Sequence, residues 1–238
     1  MNATTEPRRE AKSRATSRLS AARARSGEAV RTAVLKSGLP YPPRELFLRS
    51  FKREATLEAW AREGSEPFKL IAEFRVLVCS GHPGPKRRAG DLQVPEGFYH
   101  IDRFNPESNF HLSLGLNYPN EADRLLSDRE QPGGDIFIHG KAASIGCLPL
   151  GDPAIEQLYL LALDVRERGQ TKIPVHIFPA RMSGPAWKNF AAEEIARDSV
   201  LEPFWQQLQP AYDAFERDRL VPAFAVEPDG RYRVTLSR

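Results

Sequence analysis

Apolar and polar residues alternate in short runs through the middle of the chain, and these runs predict strands. Leu46, Leu48 and Phe51 sit in one β-prone run, Ala55 to Trp60 alternates, and Phe68 to Cys79 carries Leu70, Ile71, Phe74, Val76 and Val78. Together they predict a meander. The stretch from Gly81 to Asp91 is rich in breakers and positive charge and reads as a loop. It lacks the Gly-x4-Gly-Lys-Ser/Thr spacing of a phosphate-binding loop. Gly97 to Ile101, Phe110 to Leu116, Gly133 to His139 and Lys172 to Phe178 are further strands. Asn117 to Asn120 is a turn, and Glu121 to Arg129 is a short helix or loop.

Helical spacing enters at two places. Asp152 and Pro153 open a helix, with Asp152 as the expected N-cap and Ile155, Leu158, Leu161 and Val165 as its apolar face; Gly169 ends it. Phe204, Trp205, Leu208, Tyr212 and Phe215 form a second stripe. The tail from Ala223 to Leu236 reads as a hairpin turning at Asp229-Gly230. The fold class is α+β and β-rich, with one central helix, a helical C-terminal extension and a hairpin. The expected division is a basic segment over 1–40, helical or disordered, a catalytic unit over 41–182, and an extension over 183–238.

Hydrophobic residues make up 41% of the 238, enough for a sizeable core, and two cysteines exclude a disulfide scaffold. No run approaches the roughly 20 apolar residues that a spanning helix needs. Residues 1–38 hold nine Lys/Arg against three Asp/Glu, so the remainder is net acidic and is no broad nucleic-acid surface. Leu19, Val30, Val34 and Leu35 look too sparse for a packed stripe, which predicts a mobile tail or a partly docked helix. The sharper alternative is contact with an anionic polymer or lipid headgroups. No secretory signal pattern is visible, which leaves two readings open: a cytoplasmic protein, or export information absent from this version of the chain.

One segment carries chemistry. From Asp135 to Asp152 it places His139 at a strand end and Cys147 just ahead of an expected helix N-terminus. Such a terminus stabilises a thiolate, so the Cys147 pKa is expected to fall. An imidazole takes the thiol proton and later protonates a leaving amine. Gly146 allows close backbone approach, and its N–H with that of Cys147 is the expected oxyanion donor pair. Ser144 is expected to orient the loop. His82, His100, His111 and His176 have no metal-ligand spacing, and the reading needs no cofactor.

Several segments give the chain a resemblance: Ser50-Phe-Lys-Arg-Glu, Gly84 to Tyr99, Leu114 to Asn120, Ile138-His-Gly140, Ser144-Ile-Gly-Cys147, Phe178 to Met182 and Phe204 to Tyr212. With them the chain resembles the YkuD-type L,D-transpeptidase catalytic domain family, in its YafK-type branch. The resemblance spans roughly residues 45–236. It implies a β-sandwich or barrel core and a cysteine enzyme of the cell envelope or periplasm, acting on peptidoglycan stem peptides at diaminopimelate-linked bonds through a thioester. For the YafK-type branch it implies hydrolysis that releases lipoprotein. Carried over, Cys147 is the nucleophile, His139 the base and acid, and the Gly140 carbonyl the group that orients the imidazole. Two positions depart from the wider family: Ile145 stands where a histidine is usual, and Pro149 where Arg or Asn is common.

Ser144, Tyr118, Arg103 and Lys86 are candidate substrate contacts, the cations for stem-peptide carboxylates; solvated loop charge is the alternative for the cations. Cys79 reads as a buried core thiol, and Trp60, Trp187 and Trp205 as core anchors. The rival functions are a true transpeptidase making 3-3 crosslinks or attaching protein, and a non-catalytic peptidoglycan- or anion-binding module.

Overall fold

In the computed structural model, which describes residues 6–235 with side chains from residue 14 onward, the meander consists of β1 (Glu45–Phe51), β2 (Thr56–Arg62) and β3 (Lys69–Arg75). Residues 1–5 and the expected hairpin end at Leu236 lie outside the described residues. β1 and β2 run antiparallel with Phe47 opposite Trp60, and β2 and β3 with Leu57 opposite Phe74. The third strand is shorter than its apolar run. At Leu77 the backbone N–H turns to the carbonyl of Pro149, carrying the chain across to the segment that bears Cys147.

Five more strands complete the sheet: β4 (Gly97–Asn105), β5 (Ser113–Leu116), β6 (Phe137–His139), β7 (Leu148–Pro149) and β8 (Ile173–Phe178). Their order is β3-β2-β1-β8-β4-β5-β6-β7, with β1/β8 and β6/β7 parallel and the other pairs antiparallel. β5 starts three residues later than the alternation from Phe110 predicts. His111 adopts a left-handed φ of 75°, which breaks the extended backbone there, and beyond β5 comes the short helix α2 (Glu121–Leu126), N-capped by Asn120.

Both faces of the sheet are covered, so β1 and β8 at its centre are buried on both sides, Arg49 and His176 included. Leu46, Leu48, Val175 and Ile177 share a core with α3 (Asp152–Glu167), whose Ile155, Leu158, Leu161 and Val165 form the predicted face. On the other side Phe51, Phe98 and Phe178 meet Phe204, Trp205, Leu208 and Tyr212 of α5 (Leu201–Asp218). The short helix α4 (Gly184–Arg197) brings Trp187 against Trp205. The hairpin of β9 (Ala223–Val226) and β10 (Tyr232–Thr235) turns through Gly230 at φ 84°. Trp60 and Trp205 are buried, as expected of anchors.

Two expectations about helices change. Gly151, not Asp152, is the N-cap of α3; Asp152 is its first residue, and its Oδ1 accepts from the Lys141 N–H at 2.9 Å. The N-terminal helix α1 (Glu6–Lys36) does have a packed stripe. Ala22, Ser26, Val30 and Val34, four residues apart, are buried. Counting large aliphatics alone missed it, because small residues do half the packing. Its cations meet α3: Arg23 makes a two-pronged pair with Asp164, at 2.6 and 3.0 Å, and Arg25 pairs with Glu156 at 2.5 Å. Among the described residues no helix is long and apolar enough to cross a membrane.

Candidate active site

Strand alternation builds the site. Ile138 of β6 points into the core, so Phe137 and His139 occupy the opposite face. Leu148 of β7 is likewise in the core, and Cys147 precedes it. The parallel register pairs Ile138 with Leu148 and His139 with Pro149. Cys147 therefore stands beside Phe137, one step along the strand from His139. Cys147 and His139 both line a cavity of about 470 Å³, with Phe110, Ser113, Phe137 and Ile145 among its other walls.

Each reactive group is held by backbone. His139 is 2% exposed, and its Nδ1 lies 2.5 Å from the Gly140 carbonyl oxygen. A carbonyl only accepts, so Nδ1 carries the proton and Nε2 keeps its lone pair. Burial pulls the imidazole below the usual histidine range, and the Gly140 carbonyl opposes this. The Cys147 Sγ accepts from the Phe137 N–H at 3.4 Å and donates to the Asp135 carbonyl at 3.6 Å.

The Cys147 thiol does not have the lowered pKa that the sequence predicts. Burial raises it; the Phe137 N–H pulls the other way, the Asp135 carboxylate adds to the rise, and the more distant Lys86 opposes it. The physical reason is position. Leu148 and Pro149 form a strand between Cys147 and α3, which begins only at Asp152, so the sulfur is not at the helix terminus.

The glycines are fixed by close approach. A Cβ at Gly140 would lie 2.5 Å from Asp152 Oδ1 and 2.7 Å from the Phe110 carbonyl. Gly146 has φ 118°, and a Cβ there would lie 2.8 Å from the Gln93 carbonyl. Its N–H, however, donates to Ser80 Oγ at 2.8 Å and lies 3.2 Å from Ser144 Oγ, so it is engaged rather than open to an oxyanion. Ser144 Oγ donates in turn to the Cys147 carbonyl at 2.7 Å, tying the loop, and Ser144 also lines the cavity.

The other candidate contacts divide. Arg103 sits at the rim, its guanidinium over the Phe137 ring at 4.8 Å and its Nη1 on Asp135 at 2.9 Å. Lys86 and Tyr118 do not line the cavity. Lys86 is 4% exposed, paired with Asp91 and donating to the Arg88 carbonyl. The Tyr118 ring is buried, and its hydroxyl donates to the carbonyls of Pro132, at 2.8 Å, and Lys86. Both staple the loop that reads as solvated charge in the sequence. Cys79 is half-buried against the core, and burial raises its thiol. Sequence reasoning missed Phe110, whose ring lies against His139, and Ser80 and Asp135; reading Phe110 as part of a strand hid the first.

Residues 53–177 match the family model of the L,D-transpeptidase catalytic domain, YkuD. The chain belongs to the YkuD family. It is 32% identical over 192 residues to the protein named "Putative L,D-transpeptidase YafK" of Escherichia coli strain K12, across 80% of this chain and 74% of the relative. The counterpart in Escherichia coli O157:H7 matches equally. Solved structures that are similar include the helical cell shape determining protein Pgp2 from Campylobacter jejuni, with TM-score 0.46, 17% identity, and 77% of this chain and 73% of that one covered. Its K307A mutant gives TM-score 0.45 and 22% identity, over 57% of this chain and 47% of the other. In this YkuD chain the position ahead of Gly146-Cys147 is Ile145, 76% exposed at the cavity wall.

Proposed function

We propose that the protein is a peptidoglycan-active cysteine hydrolase that cleaves diaminopimelate-linked amide bonds, releasing lipoprotein from the wall. The observation that carries this reading is the shared cavity of Cys147 and His139, with His139 Nδ1 held on Gly140. The thiol is neutral at rest, so its activation is coupled to attack. His139 Nε2 takes the Sγ proton as the sulfur–carbon bond forms. The tetrahedral oxyanion is assigned to the Cys147 amide, because the Gly146 amide is engaged by serine hydroxyls. The imidazolium then gives its proton to the leaving amine nitrogen as the carbon–nitrogen bond breaks, leaving a thioester. Water, deprotonated by the same Nε2, adds to the thioester, and the sulfur leaves as the thiol.

Hydrolysis is favoured over crosslinking because exposed, apolar Ile145 offers no polar hold for an amine acceptor. The family's envelope setting supports the periplasm as the place of action. Lipoprotein-linked sacculi digested with wild type are expected to release lipoprotein, and with Cys147→Ala to release none. Equal release by both overturns the proposal. Crosslinked dimers in place of released lipoprotein identify a transpeptidase instead.

A further inference from the structure

One wall of the cavity is the segment of residues 105–112, a loop that runs from the last residue of β4 to the start of β5. It contributes Asn105, Ser108, Asn109 and Phe110 to the cavity. It has little regular backbone pairing of its own, since β4 ends at Asn105 and β5 starts at Ser113. Four of its carbonyls accept from side chains elsewhere in the chain, and that of Leu112 accepts from the Gly140 N–H. Arg18 of α1, half-buried, reaches across with Nη1 to the carbonyls of His111 at 2.7 Å, Ser108 at 2.8 Å and Pro106 at 3.1 Å. The same helix is linked to the loop a second time, through Glu156. Glu156 of α3 accepts from Arg25 and from Ser26 of α1, and its Oε1 lies 2.7 Å from His111 Nε2. On the far side Lys141 Nζ donates to the Asn109 carbonyl at 2.5 Å.

We propose that α1 is a brace for the active-site wall, and that Arg18 is a positioning residue: it fixes the loop that sets Phe110 against His139 and so shapes the cavity for substrate. This rests on the reading of the cavity as the reaction site. A guanidinium suits the task. All three carbonyls meet Nη1, whose two N–H groups serve the nearer carbonyls of His111 and Ser108 and share with that of Pro106, satisfying acceptors that would otherwise need water. Arg18 touches no reacting atom, and its removal acts through the loop. The basic character of the N-terminal segment thereby acquires a use inside the molecule.

The test uses the full chain and three readouts. Amide hydrogen exchange is compared for wild type, Arg18→Gln and Arg18→Lys. Arg18→Gln is expected to speed exchange across residues 105–112 by roughly tenfold or more, the equivalent of one lost charged hydrogen bond, with β1 and β2 unchanged. In steady-state release from a stem-peptide amide, KM is expected to rise about fivefold to tenfold with kcat within about twofold, since substrate contact is lost and the Cys–His pair is kept. Arg18→Lys, retaining the cation, restores most of both. Unchanged exchange over 105–112 in Arg18→Gln overturns the brace, as does faster exchange spread equally over β1 and β2. Wild type that releases nothing, with faster loop exchange in the variant, supports the brace and refutes the hydrolase.

Discussion

The Phe110 ring lies against the His139 imidazole, with centroids 4.7 Å apart and planes inclined by 41°. It closes the cavity side of a histidine whose other side is core, and it contributes to the burial that lowers the imidazole pKa. In Phe110→Ala water reaches the ring and the pKa rises toward the ordinary histidine value. The sign for catalysis follows directly. A base must be neutral, so the acid limb of the kcat/KM profile moves to higher pH in the variant, and activity at about pH 6 falls more than at about pH 8. The pH–rate profile and the NMR titration of His139 measure this. An acid limb that stays in place removes Phe110 as a tuning group.

Cys147 should behave as a buried thiol in the free enzyme. Alkylation by iodoacetamide follows the thiolate, so its rate is expected to climb through neutral pH and level off only above the ordinary thiol range. A plateau below about pH 8 would mean a preformed thiolate–imidazolium pair. Burial raises the Cys79 thiol as well, so both cysteines are expected to alkylate slowly at neutral pH.

Gly140→Ala is expected to destabilise the protein as well as to inactivate it. The added methyl meets the Asp152 carboxylate and the Phe110 carbonyl, and one of these must move. Overpacking of this kind costs about 1–3 kcal/mol. Because the same carbonyl group orients His139, activity should fall further than the loss of folded protein explains. Denaturant unfolding at neutral pH, paired with activity per folded molecule, separates the two effects.

Lys86→Ala is expected to cost stability rather than substrate affinity. It strips the partner from Asp91 in a nearly closed site, a change that runs to about 3–5 kcal/mol for a fully buried pair. Asp91 keeps the backbone N–H groups of Arg87, Arg88 and Gln93, so the lower end is expected. Thermal melts and KM for a stem-peptide amide decide the matter: a raised KM at unchanged stability would restore Lys86 as a carboxylate contact.

Elements were legible wherever apolar residues kept a regular spacing, as in β2 and the stripe of helix α5, because burial on a known period leaves a plain mark in residue type. The motif singles out Cys147 and His139, and both line one cavity. What the sequence could not announce was contact between distant segments. The Ser80 hydroxyl reaching the Gly146 amide and the Arg18 guanidinium gathering loop carbonyls use residues that are ordinary in isolation. The left-handed turn at His111 also interrupts an apolar run that otherwise mimics a strand. The sign of the Cys147 shift failed for a related reason. Two residues of β7 separate it from the helix, and a two-residue strand has no readable pattern.

The place of β8 in the sheet governs how the chain comes together. It lies between β1 and β4, so the meander and the half carrying Cys147 and His139 are joined in the sheet through a strand made after both. Until Ile173–Phe178 takes its place, the sheet consists of two separate fragments with open edges. Assembly of the working protein therefore comes late, and the intermediate most open to edge-to-edge aggregation is the one waiting for its central strand.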